Sequence, residues 1–262
     1  MHNLIWMSDL HFTAQGLVQG HDPRRRVDLA VTFVNAHYQD AQVCVISGDM
    51  VDRGTPEDYS ALAERLAALN VAILPMVGNH DDREVFKATF PVPETCMQDF
   101  VQYSVATDDG LILCLDTLKV GSDAGELCAD RLAWLEMQLT AAQDTPVYIF
   151  MHHPPLSLGL PMQDTDRLEN GDAFLDLVTQ FDAVKFMFIG HVHRPISGVV
   201  CGVPYCTMRS VLYQAPPPQP AWNWDTFKPA NEAPNLGVVE LNKGDVRVQY
   251  VQCSAFEDGV QG

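Results

Sequence analysis

Residues 186–193 read Phe-Met-Phe-Ile-Gly-His-Val-His, an apolar run broken by glycine and followed by two histidines one residue apart. The run has the length of a buried strand, and Gly190 ends it. If the backbone stays extended beyond the glycine, His191 and His193 project to the same side, because strand side chains alternate. Two imidazoles converging at a strand end are a frequent start to a metal site.

The same arrangement recurs along the chain. Leu4–Met7 is followed by Ser8-Asp9-Leu10-His11, Val43–Ser47 by Gly48-Asp49, Val71–Val77 by Gly78-Asn79-His80-Asp81, and Val147–Met151 by His152-His153. Leu111–Leu115 is a further apolar run. Helix-like stretches at 24–38, 56–69, 130–142 and 172–181 lie between them, the second opening with Pro56-Glu57. Continuous apolar strands alternating with amphipathic helices predict an α/β layer structure with buried sheets. In such sheets the carboxyl ends of the strands form the ligand crevice, and glycine there lets the backbone turn sharply.

An isolated Asp or Asn after a strand is usually a turn or cap residue. The joint pattern differs, because six of the nine histidines sit in these motifs and only His2, His21 and His37 do not. Imidazole, carboxylate and amide donors without thiolate suit Mn, Fe, Zn or Co. Two aspartates, one asparagine and four histidines exceed one ion but fit two sharing a carboxylate. Two metals about 3.5–4 Å apart are a recurring device for phosphate-ester hydrolysis, generating hydroxide and neutralising the phosphoryl oxygens.

Composition bounds the partners. The 262 residues carry 16 basic and 34 acidic side chains, a formal net charge of −18. That field disfavours nucleic-acid polymers, and Arg24-Arg25-Arg26 is too short a cluster to reverse it. No apolar run approaches membrane-spanning length, so no membrane insertion is expected. The opening MHNLIWMSDLHF reads as a first strand, not a signal peptide. Seven scattered cysteines without a Cys-x-x-Cys pair suit a reducing cytoplasm, with a Cys206–Cys253 bridge left open.

The motifs Asp9-x-His11, Gly48-Asp49, Gly78-Asn79-His80-Asp81, His152 and Gly190-His191-x-His193, in this order, resemble the calcineurin-like metallophosphoesterase superfamily. PMVGNHDD, FMHHPPLSLG, LENG and LAWLEMQL are similar to its bacterial class III cyclic nucleotide phosphodiesterase and glycerophosphodiesterase branch. The likeness is strongest up to about residue 195. It implies a four-layer α-β-β-α sandwich of two mixed sheets with the metal site at strand C-terminal ends. It further implies that Asp9, His11 and His193 hold one ion, that Asn79, His152 and His191 hold the second, and that Asp49 bridges. His80 would contact the phosphate or assist the leaving group, with Asn79 also touching substrate and Asp81 orienting His80. The implied reaction is hydrolysis of a small phosphodiester, a cyclic nucleotide such as cyclic AMP or a glycerophosphodiester.

GDMVDRG, residues 48–54, instead resembles the segment of Ser/Thr protein phosphatases whose arginine grips phosphate, which would give Arg53 that role. Phe12 after Asp-Leu-His, and Asp81 where that pattern has glutamate, depart from it. A monoesterase is therefore the runner-up, and a non-catalytic metal-binding scaffold the third reading. Residues 1–262 are read as one domain with a C-terminal elaboration over 211–262, containing β-rich material and a proline-rich segment that is a candidate lid or dimer element. His21, the 160–170 loop, Tyr213, Trp222 and Trp224 are candidate leaving-group contacts, with a homo-oligomer interface the competing use of the aromatics.

Overall fold

The computed structural model describes residues 2–219, 223, 226–230 and 232–253; Trp222 and Trp224 lie outside them. The chain runs β1 (His2–Met7), α1 (Pro23–His37), β2 (Val43–Ile46), α2 (Pro56–Leu66), β3 (Ile73–Pro75), α3 (Arg83–Thr89), β4 (Tyr103–Thr107), β5 (Gly110–Cys114), α4 (Ala129–Ala142) and β6 (Val147–Met151). It continues through α5 (Gly171–Val178), β7 (Val184–Ile189), β8 (Ser197–Val200), β9 (Val203–Thr207), β10 (Asn235–Asn242) and β11 (Asp245–Gln252).

Local chemistry sets the helix starts. Asp22 accepts the Arg24 N–H ahead of Pro23, Thr55 accepts the Asp58 N–H ahead of Pro56, and Asp82 accepts from Glu84 and Val85. Each side chain satisfies donors that a helix N-terminus leaves bare. Neither α3 nor β4 is predicted from the sequence.

The strands form two mixed sheets, β11-β10-β1-β2-β3 and β4-β5-β6-β7-β9-β8. Within the first, β1, β2 and β3 are parallel; within the second, β5, β6, β7 and β9 are. The residues following β1, β2 and β3 therefore share one edge. The hairpin β10–β11 joins the first sheet, with β10 antiparallel to β1 and Leu4 opposite Val239.

Alternation along β6 shows the layering. Tyr148 and Phe150 enter a core shared with β1, β2, α1 and α2, whereas Val147, Ile149 and Met151 pack with α4 and α5. Across the two sheets, Trp6 meets Phe150 and Phe188 edge-on at centroid distances of 5.9 and 5.2 Å. Phe150 and Phe188 themselves stack at 4.3 Å. Two mixed sheets thus face each other, flanked by helices, as the family resemblance implies.

Candidate metal centre

The loops after β1 and β2 extend the sheet pairing beyond the strands, with Asp9 N–H donating to Gly48 O at 3.1 Å and His11 N–H to Asp49 O at 2.9 Å. Gly190 N–H bonds Met151 O at 3.1 Å, which registers the end of β7 on that of β6. These contacts gather Asp9, His11, Asp49, Asn79, His80, His152, His191 and His193. Two buried groups, Asp9–His11–His193 and Asp9–Asp49–His152, each place their donor atoms within 4.8 Å of one another.

The backbone route differs from the extended one expected from the sequence. His191 and His193 have φ of 69° and 50°, so the chain is not a continued strand. Two left-handed residues flank the buried Val192, whose N–H turns back to Gly190 O at 2.8 Å. Asp9, His11 and Asp49 also have positive φ, at 55°, 39° and 49°. Non-glycine residues there cost on the order of 1–3 kcal/mol each and cluster where function demands them.

Glycines make room for this. Gly48 has φ +98°, as a turn residue should. Gly78 has ordinary φ and is required by space alone, since a Cβ there would lie 2.3 Å from Asp49 Oδ1 and 2.6 Å from His152 Nε2.

Proton positions follow from the carbonyls. His193 Nδ1–H donates to Tyr213 O at 2.9 Å, and His152 Nδ1–H donates to Ser47 O at 2.8 Å. In the neutral rings each Nε2 then presents a lone pair to the centre. His193 Nε2 lies 3.2 Å from Asp9 Oδ1 and 3.0 Å from His11 Nε2. His152 Nε2 lies 3.3 Å from Asp49 Oδ2 and 3.2 Å from Asn79 Oδ1, and His191 Nδ1 also lies 3.2 Å from Asn79 Oδ1. Both Asp9 carboxylate oxygens are buried without a hydrogen-bond partner. Acceptors converging with no donor between them fit a bound cation, and nitrogen and oxygen donors with carbonyl-anchored imidazoles fit a divalent metal.

The electrostatics agree. Burial opposes ionisation of Asp9, but His193 outweighs it and brings the carboxyl down to about 2. Asp49 is likewise lowered well below the carboxylate range, with burial overcome by His152 and His80. Burial, then the neighbouring His152, push His191 down to about 3, keeping it a neutral donor. For His152 burial is overcome by Asp49, which raises it to about 9. A divalent cation would supply the positive charge that this proton lends Asp49.

His80 stands at the exposed rim. Its N–H donates to Asp49 Oδ1 at 3.0 Å, and its ring Nδ1–H donates to the Asp52 carbonyl at 2.9 Å. The expectation that Asp81 orients this ring is corrected by these contacts. Asp81 instead accepts from the N–H groups of Gly78, Met50 and Val51 at 2.8, 3.1 and 3.3 Å, and from Tyr59 OH at 2.7 Å. It braces the loops carrying Asp49 and Asn79, because three converging N–H groups are stronger bidders for a buried carboxylate than one rim imidazole.

Arg53 is outside the cluster, its side chain 76% exposed and its Nε 3.6 Å from Asp52 Oδ2. His21 Nδ1 accepts from the Arg26 guanidinium at 2.9 Å on the first loop. Asp52 was not singled out by sequence reasoning, yet its carboxylate lies 3.6 Å from His11 Nδ1; its place in GDMVDRG beside Arg53 is the available signal. His153 is buried with its nitrogens on the Thr117 hydroxyl and the Asp123 carbonyl, at 2.7 and 3.1 Å. All seven cysteines are free, so Cys206 and Cys253 are not bridged.

Comparison with known proteins follows the same lines. A probable cyclic nucleotide phosphodiesterase of Rhodopseudomonas palustris is 37% identical over 80% of this chain and 78% of its own length. The glycerophosphodiester phosphodiesterase GpdQ of Enterobacter lignolyticus is 32% identical over 81% and 78%. A dimetal phosphatase from Danio rerio shares the fold with a TM-score of 0.65, covering 97% of this chain and 99% of that one at 15% identity. Residues 2–195 match the model of the calcineurin-like phosphoesterases, and the chain belongs to that family.

Proposed function

We propose that this protein is a phosphodiesterase using two metal ions to hydrolyse small phosphodiesters, either 3′,5′-cyclic nucleotides such as cyclic AMP or glycerophosphodiesters. The observation that carries the reading is Asp49, whose Oδ2 lies 3.5 Å from His11 Nε2 and 3.3 Å from His152 Nε2. One carboxylate is thereby shared between two donor sets. Asp9, His11 and His193 would hold one ion and Asn79, His152 and His191 the other, with Mn, Fe, Zn or Co suited to such donors. When bound, the ions supply Lewis acidity toward phosphoryl oxygens and lower the pKa of water.

The chain's own residues do the rest. His80, anchored through Nδ1, turns its Nε2 to the incoming phosphoryl group. Burial works against its charged form, but Asp49 and the Asp52 carbonyl outweigh burial and raise its pKa. A protonated His80 donates to a phosphoryl oxygen or passes its proton to the departing alkoxide as the P–O bond breaks, while a hydroxide oxygen forms the new bond to phosphorus. The net charge of −18 favours small diesters over nucleic-acid polymers. Among the described residues no helix is long and apolar enough to cross a membrane. Free cysteines fit a reducing, cytoplasmic setting.

The test compares initial rates of manganese-reconstituted protein on bis(p-nitrophenyl) phosphate and p-nitrophenyl phosphate. The expected result is a diester preference that vanishes in Asp49→Ala. A monoester preference would sink the diesterase reading and return attention to Arg53.

A further inference from the structure

Beside the centre, the 3-10 turn Gln163–Thr165 carries a polar group that the proposed chemistry does not use. Gln163 is only 7% exposed, yet its amide forms no hydrogen bond to any described residue. Among the described residues the buried side-chain atoms left without a partner are those of Asp9 and His11, so the Gln163 amide meets solvent and keeps two donors and an acceptor available to a ligand.

The surroundings indicate what such a ligand is. Gln163 lines a narrow cleft together with His191, His193, Tyr213, Ala215 and Phe227. The amide therefore shares a wall with two imidazoles of the metal centre. Its turn is held closed by the next residue: Asp164 accepts from Ser157 OH at 2.6 Å and from the N–H groups of Leu158, Gly159 and Leu160 at 2.8, 2.9 and 3.1 Å. Aromatic rings line the same cleft, with the Tyr213 ring 4.3 Å from His193 and 6.2 Å from Phe227. An amide and aromatic rings in one cleft, beside two imidazoles of the candidate metal centre, suit a hydroxylated carbon skeleton one or two bonds from phosphorus.

We infer that Gln163 is a specificity-determining residue that hydrogen-bonds a substrate hydroxyl on the carbon adjoining an esterified carbon. Cyclic ribonucleotides and glycerophosphodiesters share that feature, as the 2′-hydroxyl beside O3′ and as the 2-hydroxyl of glycerol. Aryl diesters lack it. The inference rests on the diesterase reading above.

The experiment measures kcat/KM of manganese-reconstituted protein on two matched pairs, with bis(p-nitrophenyl) phosphate assayed alongside. The pairs are cyclic AMP with its 2′-deoxy analogue, and glycerophosphoethanolamine with its 2-deoxy analogue. The wild type should prefer the hydroxylated member of at least one pair by about 10–100-fold, the worth of one buried hydrogen bond. Gln163→Leu and Gln163→Met should both bring that ratio close to 1. The ratio is internal to each sample, so partial loss of folded enzyme cancels. The pair that responds identifies the source of the hydroxyl. A wild type indifferent to both pairs, or a preference that survives both substitutions, overturns the inference. Hydrolysis of bis(p-nitrophenyl) phosphate in those same samples would leave the diesterase reading standing; its absence from the wild type would sink that reading instead.

Discussion

The two sheets meet at the centre with unequal chemistry. Ends of the five-stranded sheet bring both carboxylates, Asp9 and Asp49, with His11 and Asn79; ends of the six-stranded sheet bring only imidazoles, His152, His191 and His193. The carboxylates therefore reside on one sheet, and the other contributes imidazoles alone. Neither sheet alone assembles a complete donor set, so the chemistry depends on the face where they pack. Trp6 links the two tasks: its ring fills that face, and its N–H donates at 2.8 Å to Ser47, whose carbonyl anchors His152.

The largest effect should separate the sheets directly. Asp49→Ala removes the shared carboxylate and should cut metal-dependent turnover by about 10³-fold or more, roughly 4 kcal/mol of transition-state stabilisation. Metal analysis should then show both ions weakened. His191→Ala touches only the second donor set and should leave one tightly held ion per chain. Equal metal loss in both variants would break the distinction.

Packing comes next. Phe188 lies between the sheets, stacked on Phe150, whereas Phe174 packs behind the second sheet with α5. Truncation of either to Ala should cost about 3–5 kcal/mol in denaturant unfolding. Only Phe188→Ala should also loosen metal binding in the folded protein, read as a lower affinity in titration. If Phe174→Ala did the same, the intersheet face would have no special role.

Metal itself should act as a fastener between the sheets. A saturating ion at 100 times its Kd should add about 2.7 kcal/mol, which for a chain of this size corresponds to about 5–10 °C in Tm. Chelator should reverse the gain, and Asp49→Ala should show little of it. The smallest effect concerns the bracing of the carboxylate side. Tyr59→Phe removes the hydroxyl on Asp81 and should cost about 1–2 kcal/mol, while the ion stoichiometry stays intact.

The candidate centre was legible because its residues follow strong apolar runs, where a strand end leaves few places for a polar side chain to go. The 7-residue helix α3 and the 5-residue strand β4 were not. REVFKAT buries only Phe86, too little to establish a helical period, and YSVAT has no continuous apolar run. The roles of Asp52 and Asp81 were also beyond reach. Asp52 follows the Gly48-Asp49 motif and Asp81 follows His80, and only the fold decides that the Asp52 carbonyl meets His80 while Asp81 turns to the loop N–H groups. The left-handed turns at His191 and His193 were hidden for a similar reason. An alternating pair looks the same in sequence whether the strand continues or curls around Val192.

The place of β10 beside β1 has a bearing on synthesis. β1 is made before the other strands described here and leads into the loop with Asp9 and His11, but one of its two neighbours, β10, is encoded more than 200 residues later. Until that strand emerges, a nascent chain holds β1 with a bare edge open to wrong partners. Pairing so distant in sequence also slows folding. The metal centre of a half-made chain would therefore sit on an unfinished sheet, and a fragment ending at residue 195, where the family match stops, would lack the strand that closes it.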